Sequence, residues 1–344
     1  MAMGRFSDRS ARGNSMAHRE FDRENERQAT VVQISQAPLE HREQLMAEYR
    51  ARSEAAFAPS TLRNYRMIIR LFVAWCTENG HNPKPPVDPR VVAEYVDFLG
   101  GKIKSTTIEC RLWAISELHR SHFYPNPCRH RLVELALMGV KRTYGAAIGQ
   151  APPLGKADVL AVIAKLGASR RDMRDKALLW IATDSWCRAS EIVAFRVRDI
   201  ERQSDGSSLL FVHRSKTDPY GQGAYAYLSG PGTEAVLAWI AVAGLRRDDP
   251  ILTKSQPNGK IAPLHPSSLS RILKTCTNRA DVSAHSTRIG GVHDALRLGC
   301  DLTSIMVAGR WTSPEMPARY GRKIRASQSA AAMVSAAYIG QKTE

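Results

Sequence analysis

Long apolar runs are missing from this sequence. Its 344 residues contain no stretch near the roughly 18 apolar residues that a membrane helix needs. The start, MAMGRFSDRSARGNS, has no apolar segment behind its charges, so neither a membrane span nor a secretory leader is expected. Cysteine is sparse and unpaired: Cys76, Cys110, Cys128, Cys187, Cys276 and Cys300 form no CxxC. Such scatter reads as reduced, mostly buried thiols in a cytoplasmic or nucleoid-associated protein. One stretch, CRLWAISELHRSHFYPNPCRH, gathers Cys110, His119, His122, Cys128 and His130. Its spacing matches no common zinc module, and Leu112, Ile115 and Leu118 recur through it at helical intervals. An amphipathic helix followed by a loop is therefore expected there, and no metal. Also absent are a GxxxxGK[ST] phosphate loop and a DxD-like carboxylate cluster, the residues that nucleotide- or metal-driven phosphoryl transfer requires.

Acids are the other shortage. Against 33 Asp plus Glu stand 49 Lys plus Arg, a formal charge of +16. Residues 1–35 hold six Arg and five acids, so the surplus belongs to the folded body and suits a polyanionic partner. The alternative is a generally basic enzyme.

The length favours two domains. Residues 1–35 are polar and carry too little apolar surface to order themselves, so a disordered tail is expected. Residues 36–148 read as all helix. In APSTLRNYRMIIRLFVAWCTENG, Ser60 or Thr61 is a candidate N-cap and Gly80 a stop. Leu62, Tyr65, Ile68, Ile69, Phe72, Val73 and Trp75 fall on or near one face. The other face carries Arg63, Asn64, Arg66 and Arg70, with no acid until Glu78, and fits a groove of phosphates. Asp88 before Pro89, and Ser105, mark further helix starts. Residues 149–155, within GAAIGQAPPLGK, break every periodicity and read as a linker. Residues 156–344 are mostly helical again, interrupted by a hairpin of SSLLFVHRS, DPYGQG and AYAYLSG, with a third short strand at RDIERQ.

Four short stretches of this second region carry the chemistry: RASEI, RSKTD, HSTR and RW…RY. Taken singly, each has a plain explanation as a helix ion pair, a turn lysine or a polar helix face. Together they match a phosphoryl-transfer transition state. Arg188 and Arg288 supply planar forks for two nonbridging oxygens. His285 precedes Arg288 by one helical turn and shares its direction. Lys216 can protonate a leaving 5′-oxygen if nearby arginines lower its pKa. The Trp311 indole can only donate a hydrogen bond, which leaves Tyr320 as the nucleophile. A covalent phosphotyrosine conserves the bond energy, so no ATP, metal or other cofactor is expected.

The order Arg188, Lys216, His285, Arg288, Trp311, Tyr320 resembles the catalytic set of the tyrosine recombinases, the phage integrase family. Tryptophan at the fifth position makes it similar to the Cre-like branch. RASEIVAFRVRDI, HSTRIGGVHDALRLG and SIMVAGRWTSPEMPARYGR extend the likeness, and TLRNYRMIIRLFVAWC is similar to a helix of the family's DNA-binding domain.

The resemblance implies a mainly α protein of two domains. An all-α core-binding domain and a mostly α catalytic domain with a small antiparallel sheet would form a C-shaped clamp on DNA. It implies that Glu191 is the buried carboxylate that orients the site. It also implies that the helix HPSSLSRILKTC enters the major groove, with Ser267, Ser268, Ser270, Arg271 and Lys274 as candidate contacts. The last helix, ASQSAAAMVSAAYIG, would dock into a neighbouring protomer. The expected activity is site-specific cleavage and rejoining of double-stranded DNA at inverted-repeat sites through a 3′-phosphotyrosine. The chain would act as a homotetramer on DNA and be a monomer or weak oligomer without it. A topoisomerase IB-like or hairpin-forming enzyme would use the same chemistry, and a non-catalytic architectural or regulatory protein only the binding; six filled chemical positions favour an enzyme. Two features depart from the pattern. Pro317 removes a backbone donor one turn before Tyr320, which predicts an irregular or mobile turn there, and the segment between the groove helix and AHSTR is short.

Overall fold

A computed structural model describes residues 39–340, except 148, 217, 219 and 256–260; the tail expected at 1–35 lies outside the described residues. The chain divides into two compact units, Met1–Ile148 and Gly149–Glu344.

Among the described residues of the first unit, the α-helices that follow one another are α1 (Leu39–Ala56), α2 (Pro59–Glu78), α3 (Pro89–Leu99), α4 (Ser105–Ser121) and α5 (Arg131–Tyr144). The start of α3 obeys local chemistry, since the Asp88 carboxylate accepts from Arg90 N at 2.8 Å and Pro89 opens the first turn. The start of α2 corrects the expectation of Ser60 or Thr61. Pro59 takes the first helical position, where its missing N–H costs nothing, and Ala58 is the N-cap. Likewise Ser105 is already helical, with Lys104 before it. Phe72, Trp75, Tyr95, Ile108, Ile115 and Val133 form the core of this unit. Val73 leaves the apolar face of α2 and stays exposed.

The Cys/His stretch folds as helix and loop. Fully buried His119 accepts from Val87 N and donates to Ile115 O, His130 caps α5, and Cys128 Sγ donates to Leu112 O. Among the described residues no three of His, Cys, Asp and Glu stand close enough to hold a metal ion, and no helix is long and apolar enough to cross a membrane.

The second unit begins with α6 (Lys156–Lys165), α7 (Arg170–Asp184) and the four-residue α8 (Ala189–Ile192). Then come β1 (Ile200–Arg202), β2 (Ser208–Val212) and β3 (Ala224–Leu228) as an antiparallel sheet, with Ile200 opposite Leu210 and Leu210 opposite Ala226. Alternate residues of β2, Ser208, Leu210 and Val212, face inward, as the period of two requires. After α9 (Gly230–Ala243), β4 (Thr253–Ser255) and β5 (Ile261–Pro263) form a second hairpin. The sequence did not announce it, because three residues are too few for alternation to register. The remaining helices are α10 (Pro266–Thr277), α11 (Ser286–Arg297), α12 (Leu302–Gly309), α13 (Glu315–Tyr320), α14 (Arg322–Ser327) and α15 (Ala330–Gly340).

The largest core gathers Leu178, Leu179 and Ile181 of α7, Val236 and Trp239 of α9, and Leu269 and Leu273 of α10 around the buried face of the sheet. The stretch expected as a linker joins it. Leu154 is buried and its N–H donates to Ser286 O at 2.9 Å, so residues 149–155 lie along the start of α11. That approach needs Gly290: a Cβ there would stand 1.9 Å from Leu154 O.

Candidate active site

One buried carboxylate organises the site. Arg188 is the N-cap of α8, and Glu191, three residues on, accepts from Arg188 N at 2.9 Å and Nη1 at 2.8 Å. A second cation reaches the same group: Arg310 Nη2 donates to Glu191 Oε2 at 3.1 Å, while its Nη1 donates to Ser185 O at the end of α7. Burial pushes the Glu191 pKa up, but the hydrogen bonds from Arg188 and the charges of Arg310 and Arg188 outweigh it and hold the carboxyl below its ordinary range. Arg310 was not among the expected site residues. It follows α12 in a left-handed conformation (φ 53°) that helix ends usually assign to glycine, and only this fold-dependent turn aims its side chain inward.

Arg288 stands on α11, almost wholly buried. Its two terminal nitrogens donate to Trp186 O and Gly309 O, and its guanidinium lies 4.3 Å from the centre of the Trp311 ring. Burial, then the neighbouring Arg188 and Arg310, push its pKa down to about 10. The fork expected to be open is thus occupied by main chain and roofed by indole, whereas Arg188 keeps 22% of its side chain exposed. Two close approaches permit this packing. A Cβ at Gly309 would stand 1.8 Å from the Trp311 ring, and one at Gly291 would stand 2.2 Å from Trp186.

Tyr320 closes the cluster. Its hydroxyl is 2.5 Å from His285 Nε2, and its ring meets Trp311 edge-on with centroids 5.9 Å apart. Burial pushes the His285 pKa down to about 4, with Arg288 and Arg188 adding to it, so the ring is neutral at pH 7. Burial also raises the Tyr320 phenol, partly offset by Arg288, Arg319 and Arg188. A neutral imidazole protonated on Nδ1 accepts the phenol proton, a role for His285 other than holding a phosphate oxygen. The turn expected from Pro317 is helical instead. Pro317 is the third residue of α13, in the first turn, where its N–H has no intrahelical partner to lose.

Lys216 is not brought into this cluster. It sits exposed on the turn between β2 and β3. The turn is shaped by Asp218, whose carboxylate accepts from Gly221, Gln222 and Gly223 N–H at 2.9–3.1 Å. Ser215 and Asp218 of this turn line a groove with Met306, Arg310 and Trp311, and Lys216 is not among the residues that line it.

The candidate DNA contacts divide. Arg63, Asn64, Arg66 and Arg70 are exposed on α2, opposite Ile68, Phe72 and Trp75. On α10, Ser267, Arg271 and Lys274 are exposed and Ser268 is half-buried. Ser270 instead turns inward, its hydroxyl accepting from Ala284 N at 3.0 Å, and so holds the residue before His285. Ser267 Oγ is engaged by His265 Nδ1 at 2.7 Å.

With this geometry in place, the relatives are informative. The chain is 31% identical over 312 residues to the recombinase Cre of Escherichia phage P1, covering 83% of this chain and 90% of that protein. It is 27% identical over 307 residues to an integrase/recombinase XerD homolog of Selenomonas ruminantium, covering 83% and 88%. Among solved structures, XerH bound to a palindromic difH substrate has a TM-score of 0.61 at 16% identity, covering 84% of each chain. A lambda integrase dimer bound to a COC′ core site has a TM-score of 0.53 at 15% identity, covering 80% of this chain and 75% of that one. No family model matches the chain. The identity to the phage P1 protein extends over 83% of the chain, and the fold is shared with solved recombinases and integrases; the chain belongs to the tyrosine recombinase family and is a site-specific recombinase of that kind.

Proposed function

We propose that the chain cleaves and rejoins double-stranded DNA at inverted-repeat sites through a 3′-phosphotyrosine on Tyr320, as a homotetramer holding two sites. The observation that carries this reading is the Tyr320 hydroxyl, 2.5 Å from a neutral His285 and beside buried Arg288 and two further arginines, Arg188 and Arg310, that share the Glu191 carboxylate.

In this mechanism His285 takes the phenol proton as the oxygen attacks phosphorus. Arg188, with Arg288 behind it, stabilises the charge that develops on the nonbridging oxygens, and Glu191 and Arg310 hold Arg188 in place. Trp311 keeps Arg288 under its ring. Lys216, delivered by its turn, protonates the departing 5′-oxygen. The free 5′-hydroxyl of the partner strand then attacks the phosphotyrosine, and its effective concentration is high because the tetramer holds it. No step consumes ATP or calls on a metal.

The formal +16 supports a DNA partner, as do the DNA complexes of XerH and lambda integrase. Arg63, Asn64, Arg66, Arg70, Arg271 and Lys274 are the side chains assigned to phosphates and bases. The apolar α15, with Met333, Val334, Tyr338 and Ile339 exposed, is assigned to docking into a neighbouring copy.

The test is covalent trapping. The site is first identified by sequencing DNA bound by the protein, then offered as a nicked duplex from which the cleaved strand cannot be resealed. The wild type should give a covalent band on a denaturing gel, and Tyr320→Phe should bind equally and give none. Recombination by Tyr320→Phe at the wild-type rate would overturn the assignment.

A further inference from the structure

The main-chain oxygen of Tyr320 is held twice. His293 Nε2 lies 2.8 Å from it, and Gln150 Nε2 donates to it at 3.3 Å. Neither side chain belongs to the cluster around Glu191. They arrive from different parts of the second unit: His293 from α11, and Gln150 from residues 149–155. His285, immediately before α11, meets the Tyr320 hydroxyl, so α11 and the residue that caps it grip the nucleophile at both ends.

A six-residue helix such as α13 is too short to hold its own shape in water, and its last carbonyls have no partners within it. Donors from outside therefore set where the Tyr320 backbone sits and, through it, the arc on which the phenol swings. Displacing a reacting atom by about 1 Å costs on the order of a hundredfold in rate.

Gln150 carries a further dependence. It is the second residue of the unit that starts at Gly149, and the segment it begins is fastened to α11 by Leu154 N to Ser286 O at 2.9 Å and Lys156 N to Asp294 Oδ2 at 2.6 Å.

We propose that Gln150 and His293 are positioning residues for strand cleavage, acting through the main-chain oxygen of Tyr320. Gln150 thereby makes the setting of the nucleophile depend on how residues 149–155 lie along α11. The proposal rests on Tyr320 being the nucleophile.

The experiment uses the full chain on the nicked duplex at saturating protein, reading the single-turnover rate of adduct formation, the DNA affinity and the thermal midpoint. Gln150→Ala and Gln150→Glu should each slow adduct formation about tenfold, the worth of one lost hydrogen bond, with affinity and midpoint unchanged. Gln150→Glu keeps the shape but sets a second acceptor against the carbonyl. His293→Ala should slow the step by a similar factor, and His293→Gln, which restores an N–H donor, should recover most of the rate. If His293→Ala lowers the midpoint, Gln150→Glu on its exposed residue decides alone. Wild-type cleavage by both Gln150 variants, or a rate loss that tracks affinity or midpoint, would overturn the proposal. Tyr320→Phe run beside them separates the two claims. An adduct with Tyr320→Phe removes the nucleophile assignment itself, whereas none there and full rates in the Gln150 variants remove only the positioning.

Discussion

A neutral imidazole 2.5 Å from a phenol gives cleavage a distinctive dependence on acid. An ordinary histidine, with a pKa near 6.5, would lose its capacity as a base below that pH. Held at about 4, His285 keeps it, so single-turnover cleavage should stay level from pH 7.5 to pH 5 in this respect and fall only as pH approaches 4. Stability runs with the opposite preference. The folded state favours the neutral ring more than the unfolded chain does, so His285 costs nothing above about 6.5 and destabilises progressively as pH falls toward 4. Replacing it by glutamine should slow adduct formation by about 10² to 10³ and remove its share of that acid sensitivity, as read from cleavage rates and thermal midpoints against pH. At this scale the sequence spoke through residue type and order. It named Arg188, His285, Arg288, Trp311 and Tyr320, which the fold brings together with the Glu191 that the family resemblance implied, and it named Lys216, which the fold leaves outside them. Arg310 escaped because an arginine after a helix has no reason in sequence to turn left-handed and reach a carboxylate 119 positions earlier.

Helices with strong local signals were legible. The Asp88–Pro89 start of α3 and the hairpin of β2 and β3 fall where caps and alternation put them. What was hidden depends on close approach between elements. The consecutive glycines of HSTRIGGVH sit within a helix, where Gly290 admits the chain at Leu154 and Gly291 admits Trp186. A helix interior would ordinarily gain from alanine, so the two kinds of glycine can be separated by mutation. Gly139→Ala in α5, where a Cβ meets nothing within 4 Å, should stabilise by about 0.5–1 kcal/mol. Gly290→Ala, forced against backbone on a buried face, should destabilise by about 3 kcal/mol and slow cleavage as residues 149–155 lift from α11. Denaturant midpoints of the two variants, with adduct rates, check both. Ser270 makes the same point for the groove helix, since its place on α10 suggested DNA while its hydroxyl serves Ala284.

For the whole molecule, the proposed assembly turns on charge and on the last helix. A formal +16 concentrated outside residues 1–35 makes binding a release of counterions, so affinity should fall steeply with salt. The apolar side chains of α15 find little cover in their own chain, with Tyr338 and Ile339 each about 70% exposed. Truncation before residue 330 should therefore leave adduct formation on a single nicked site within a few-fold of the full chain, while two-site recombination and higher-order complexes on native gels are lost. Loss of single-site cleavage by the truncated chain would instead place α15 in its own protomer. Composition alone could place the basic surplus in the folded body, but not the uneven exposure of an Ala-rich helix.

The helix that bears Tyr320 has six residues, bounded by Pro314 and Gly321, and takes its shape from Trp311, His293, Gln150 and a tight contact of Gly321 with Leu296. So short an element is expected to open locally at a lower free energy than the core built on α7, α9 and α10, which hydrogen exchange of residues 314–321 checks. With Tyr320 as the proposed nucleophile, arming it would then be a small equilibrium within a stable body, which a bound strand would shift by the contacts it makes with one side of it.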